Sequence, residues 1–346
     1  MKINKFLNLE SVKKIIFLSL VLFATNSFGQ NNTSVKENSS AIKVSDLIEH
    51  PYQMNSTAHT PIKFQPDIVS TLIDKYNTSF SPDSKTIYYT VTSQKLGITG
   101  IAFQEFKDGG FASPVFAPFF SQDIPMTDVQ ISPDGSLMLF STFKDYMGKP
   151  DGFNFNIWTS ELKEDKWQKP KPIGAPISST GNEFYPVMTN NKTIYFTSDK
   201  EGNSDIYFSK FNNGEYQEPI KLPNNINSEE READAFIARD ESYIIFVRVD
   251  QPDGFGNSDL YISFRISENE WTDPINMGSN VNSNQVDGSP YVTPDGKYLI
   301  FTSGRLENGT KEKASRNYLD FKRIISSSDN GSLNFYIMDL NLEKYK

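Results

Sequence analysis

Three carboxylates, Glu183, Glu232 and Asp287, recur 49 and 55 residues apart, each at the start of a strand-like segment. Brought together, they can bind a cation, hydrogen-bond sugar hydroxyls, or act as acid and base in glycosidic cleavage. In the other reading each accepts backbone N–H bonds at a junction between repeats, and recurs because the repeat recurs. Asp74 and Asp128 lie near the equivalent place in two earlier copies, though not in register with it. A catalytic site usually breaks the symmetry of its scaffold, and this column follows it.

Other chemistry is thin. The two histidines, His50 and His59, precede the repeats, so no Ser-His-Asp arrangement falls within them. There is no Gly-x-Ser-x-Gly elbow, His-Glu-x-x-His or phosphate-binding glycine loop. The Gly-Asn-Ser-Asp loops ending at Asp205 and Asp259 are oxygen-rich enough to consider calcium. Asx-turns explain them as well, so no cofactor is expected, with calcium the alternative. Trp158, Trp167, Trp271, Phe111 and Tyr216 read either as packing between repeats or as platforms for sugar rings. The absence of cysteine closes thiolate metal sites, disulfides and a lipidated N-terminal Cys.

The elements that position these residues come from a period near fifty. Apolar segments end at Tyr89, Phe140, Phe196, Phe246 and Phe301, spaced roughly 50 to 56 residues apart. Turns precede them: Ser81-Pro82-Asp83-Ser84, Ser132-Pro133-Asp134-Gly135 and Thr293-Pro294-Asp295-Gly296. Asn190-Asn191 and Arg239-Asp240-Glu241 are weaker versions. Asn156-Ile157-Trp158, Asp205-Ile206-Tyr207 and Asp259-Leu260-Tyr261 mark a next strand. An aromatic-x-x-Pro follows at Phe111, Trp167, Tyr216 and Trp271. This predicts an all-β chain, a single β-propeller with five blades, six being the alternative. The last copy lacks its outer strand, which would leave an open edge. Pro61 precedes Ile68 as Pro170 precedes Ile177, so about residues 50 to 65 are expected to complete that blade from the N-terminal side.

Ser132-Pro133-Asp134-Gly135, Tyr195-Phe196-Thr197-Ser198, Gly202-Asn203-Ser204-Asp205-Ile206-Tyr207, Trp167-x-x-Pro170, and Asn227 or Asn282 followed by an acid resemble the WD-repeat-like propeller repeat of the Tol-B type. The resemblance covers about residues 60 to 346. It implies a propeller, commonly of six blades, and an envelope partner. It implies no single function, because binding proteins and accessory domains of peptidases share it.

The first 29 residues read as a secretory signal, with Lys2, Lys5, Lys13 and Lys14 ahead of the apolar run Ile15 to Ala24 and small residues at Ser27 and Gly29. An uncleaved anchor is the alternative. Residues 30–49 read as a disordered leader and 50–346 as the propeller. Removing 1–29 takes the formal charge from −9 to about −12. That makes the chain as a whole a poor partner for nucleic acid or anionic lipid. No later stretch reads as a transmembrane span, and a monomer is expected. An insertion at 306–331 carries Lys311, Lys313, Arg316, Lys322 and Arg323. Ala314 to Ser326 reads as one short helix with Tyr318, Phe321 and Ile325 on one side. The expectation is an exported, non-catalytic protein, most simply periplasmic, with secreted or outer-membrane-associated placement the alternative. It would present one propeller face, with Glu183, Glu232 and Asp287 at the channel mouth and the basic insertion nearby, to an envelope protein or glycan. The alternative is a glycan-active hydrolase or lyase.

Overall fold

The computed structural model describes residues 51–52, 59–143 and 154–346. The signal, the leader and His50 lie outside them. The described chain forms five antiparallel blades. Blade 1 is Lys75–Phe80, Thr86–Ser93, Ile98–Lys107 and Val115–Phe116; blade 2 is Met126–Ile131, Leu137–Thr142, Asn156–Lys163 and Lys171–Pro172. Blade 3 is Glu183–Met188, Ile194–Ser198, Asp205–Ser209 and Ile220–Lys221; blade 4 is Glu232–Ile237, Tyr243–Val249, Ser258–Ser267 and Ile275–Asn276. Blade 5 is Asp287–Val292, Tyr298–Ser303 and Asn334–Asp339, completed by Ile62–Lys63 from the other end of the chain. Ile62 sits opposite Ile337 and Lys63 opposite Tyr336, and the Phe64 N–H donates to the Phe335 carbonyl at 2.8 Å. The ring therefore closes as the sequence predicts, with five blades.

The first turn of every blade works the same way. Asp83, Asp134, Asn191, Asp240 and Asp295 each accept, through Oδ1, the backbone N–H two residues on, at 3.0–3.2 Å. The residue after each must adopt left-handed φ. Gly135 and Gly296 do so freely, while Ser84, Lys192 and Glu241 do so with a Cβ. The side-chain acceptor is what the weaker turns retain when they lose glycine.

The strand after each turn carries the core. Tyr89, Phe140, Phe196, Phe246 and Phe301 are all buried. Phe196 packs with Leu139 and Ile157 of blade 2 as well as Tyr207 of its own blade. Phe140 likewise packs with Tyr88 and Ile101 of blade 1, so these anchors fill the seams between blades, which is why the repeat preserves them. The insertion forms two helices, Thr310–Ala314 and Tyr318–Ile325, rather than the single helix expected. Asn317 breaks it by capping the second helix, accepting the Asp320 N–H at 2.9 Å.

Replacing Phe196 with alanine is expected to cost about 3–5 kcal/mol of unfolding free energy, measured by equilibrium denaturation. A loss under about 1 kcal/mol would contradict the seam assignment.

Candidate functional site

Glu183, Glu232 and Asp287 begin the innermost strands of blades 3, 4 and 5, and all three are fully buried. Each is engaged by the serine four residues before it. Ser179 donates its N–H and hydroxyl to Glu183, Ser228 to Glu232, and Ser283 to Asp287. Arg248 pairs with Glu232 at 3.2 Å and Arg305 with Asp287 at 2.6 Å. Both guanidiniums also lie against aromatic rings, Arg248 near Phe246 and Tyr261, Arg305 near Phe301 and Tyr336. Arg248 donates to the Asn225 and Ile226 carbonyls, so carboxylate and arginine together pin the crossover between blades. Glu183 is held by hydroxyls, those of Ser179 and Ser198, and burial raises its carboxyl to about 7 against these donors.

Blade 1 has a cation at this position. Lys75 reaches back four residues to the Thr71 hydroxyl and to the Ile73 carbonyl at 3.2 Å. Burial lowers its ammonium to about 8. The same four-residue link thus runs with reversed polarity. Asp74, beside it, accepts the Leu333 N–H at 2.8 Å and ties blade 1 to blade 5.

The second titratable group lies two residues further along the inner strands. Asn77, Asp128, Tyr185, Asp234 and Ser289 each sit at a bulge in the pairing with the second strand, with φ between 47° and 57°. Left-handed φ is costly in a strand for any residue but glycine, and here it occurs once per blade at the same place. The bulge turns these side chains toward the ring axis. Contacts between non-adjacent blades follow from that convergence. The Tyr185 hydroxyl of blade 3 donates to the Pro290 carbonyl of blade 5 at 2.9 Å. Asp234 of blade 4 acts electrostatically on Asp128 of blade 2.

Asp128 accepts the Thr127 hydroxyl at 2.9 Å and the Tyr185 N–H at 3.3 Å; Asp234 accepts the Ser289 hydroxyl at 2.9 Å. Burial, then the charge of Asp234, raises Asp128 to about 7; burial raises Asp234 to about 6. Asp128 is thus in register with Asp234, a residue the acid column does not include. Tyr185 occupies the axis between them and is almost wholly buried.

The remaining candidates lie on the two faces. One face carries the turn after each inner strand and the hairpin after each third strand. There, between blades 2 and 3, a cleft of about 840 Å³ is lined by Thr159, Lys171, Asn190, Phe211, Glu215 and Tyr216 among others. Phe211 and Tyr216 meet edge to face at 4.9 Å between centroids, with Lys192 over the Phe211 ring. Tyr216 therefore faces a cleft, whereas Trp158 and Trp271 are buried. The opposite face carries the insertion, where Lys311, Lys313, Arg316, Lys322 and Arg323 are all exposed. In the Gly-Asn-Ser-Asp loops, Asp205 pairs with Lys221 at 2.7 Å and Asp259 accepts the Phe255 N–H at 2.9 Å. His59 is exposed, 3.8 Å from Asp339.

The arrangement defines a five-bladed β-propeller whose axis is crossed by the Tyr185 side chain. No family model matches the chain, and no curated protein does. Among solved structures it is similar to the catalytic domain of a family-62 α-L-arabinofuranosidase from Coprinopsis cinerea. The identity is 12%, covering 82% of this chain and 94% of that one, with a TM-score of 0.49. A thermostable family-43 glycoside hydrolase matches at 13% identity over 80% of this chain and 92% of its own, TM-score 0.46. A TolB candidate from Agrobacterium tumefaciens matches at 16% identity over 66% of this chain and 69% of its own, TM-score 0.44. At such identities the likeness concerns fold alone.

The channel pair predicts a pH dependence. Both carboxyls titrate higher folded than unfolded, so the folded state holds more protons between about pH 4 and 7, and stability falls as pH rises through that window. D234N removes one buried charge and relieves the other. It is expected to raise unfolding free energy by on the order of 2 kcal/mol at about pH 8 and to change it little at about pH 4. Asp234 keeps some contact with water, which holds the gain below the full shift. Denaturant titrations at both pH values check it.

Proposed function

We propose that this chain is an exported, non-catalytic binding protein of the bacterial cell envelope, periplasmic in its simplest placement, that holds a protein or glycan against one face of the ring. The observation that carries this reading is the cleft between blades 2 and 3. It pairs two aromatic rings with amide, hydroxyl and charged groups on one rigid hairpin and its neighbours, the mixture that binds sugars and polar protein surfaces. The disposition of the acids supports it. Glu183, Glu232 and Asp287 spend their oxygens on crossover donors, and Tyr185 stands in the channel between Asp128 and Asp234.

A second reading, a glycan-active hydrolase, has one observation in its favour. Asp128 and Asp234 are two carboxyls near the axis that both hold their protons more tightly than usual, as an acid catalyst must. It requires a substrate to displace Tyr185 from the axis.

The test is binding of the chain from Gln30 to immobilised envelope polysaccharides and envelope extract, beside Y216A and F211A. The proposal expects retention that falls at least about tenfold, roughly 1.4 kcal/mol, in either variant. Unchanged retention by both, or release of reducing sugar that disappears in D128N, would overturn it.

A further inference from the structure

We propose that the insertion-bearing face docks the propeller on an anionic bilayer surface. This goes beyond the cleft on the other face, resting only on the reading that the protein works in the envelope.

The helix Tyr318–Ile325 packs on the helix Thr310–Ala314, leaving Asp320 and Ile324 half-buried and its apolar side uncovered. Tyr318 and Leu319 are 74% and 76% exposed, and Phe321 and Ile325 nearly half. Five cations and two carboxylates lie between Lys311 and Arg323, in a chain whose overall charge is −9. One of those carboxylates, Asp320, is held by Arg323 and Asn317. Asp329, just beyond, is taken by Lys63.

The helix is not alone. The Asn330 amide and Ser332 hydroxyl donate to the Leu72 carbonyl, fixing the crossover into blade 1 beside the insertion. That crossover leaves Ile68, Leu72 and Ile73 about half exposed. The loop between the second and third strands of blade 1 adds exposed Leu96, with Lys95 next to it. Strand direction places all three segments on one face of the ring, in adjacent blades.

Single exposed apolar residues are ordinary; several on one face, set among Lys and Arg, are the pattern of an interfacial helix. The apolar tips enter the boundary between headgroups and acyl chains, and the long basic side chains stay with the phosphates. Each such cation adds to the attraction of an anionic surface. A flat face of a disc also offers separate loops simultaneously to a planar partner. The acidic remainder of the chain is repelled, which leaves this face as the one orientation that docks. Net charge alone averages that asymmetry away.

The experiment is co-sedimentation of the chain from Gln30 with vesicles of phosphatidylcholine, and of phosphatidylcholine with about 30% phosphatidylglycerol. The bound fraction is expected to be at least about fivefold higher on the anionic vesicles and to collapse in about 0.5 M NaCl. L319D and K322E/R323E, both at exposed positions, are expected to lose it while melting like the parent. Equal binding to both vesicles, no binding to either, or full binding by both variants would overturn the proposal. Insertion-dependent capture of a protein without vesicle binding would overturn it too, while leaving the cleft reading intact, since Y216A and F211A report on that separately.

Discussion

Everything in this molecule depends on two residues, Ile62 and Lys63, pairing with a strand more than 270 positions later. A propeller blade left with three strands exposes a row of unpaired N–H and C=O groups, and a ring with one loose blade has no closed seam on either side of it. The pairing is backed from the core. Phe64 is buried in the cluster that includes Phe80, Phe301 and Phe335, so the closing strand carries an apolar anchor as well as its hydrogen bonds. Asp74 and Lys75 continue the tie through Leu333. With no cysteine in the chain, no covalent link shares that duty.

The seams between blades use a common device in different chemistry. A side chain opening the inner strand reaches back four residues to the crossover: carboxylate to serine in blades 3, 4 and 5, ammonium to threonine in blade 1. Burying a charge is costly unless it is fully bonded, and the arginines of blades 4 and 5 help meet that requirement. Asn227 and Asn282 add to the seam by bonding the backbone of Ile206 and Leu260 as a neighbouring strand would. These landmarks recur in the sequence because the crossover needs them.

The fold was legible because its signals are local and repeated. Phe196 and its four counterparts, the Asx-turns and the Pro61–Ile68 spacing needed only a ruler. The channel was less so. Period-two alternation assumes an unbroken strand, and a bulge at each of Asn77, Asp128, Tyr185, Asp234 and Ser289 inserts one extra residue. Asp128 is out of register with Glu183, as the sequence indicates, because it occupies the bulge two residues on; its counterpart there is Asp234, which the spacing of the acids does not reveal. A comparison of copies two residues past the acids would have found the column, since that position is polar in every blade. The insertion helix starts later than the apolar pattern suggests because Asn317, a strong cap, lies inside that pattern.

The two faces consequently offer different surfaces: a mixed aromatic cleft on one, an apolar and basic patch on the other. Both depend on a ring that stays shut. Native-state hydrogen exchange at the Phe64 amide tests that most directly. The closure account predicts that this amide, bonded to the Phe335 carbonyl, exchanges only through global unfolding, with the same opening free energy as the core strand around Phe196. Exchange at the pace of a fraying chain end, with blade 3 still protected, would contradict it.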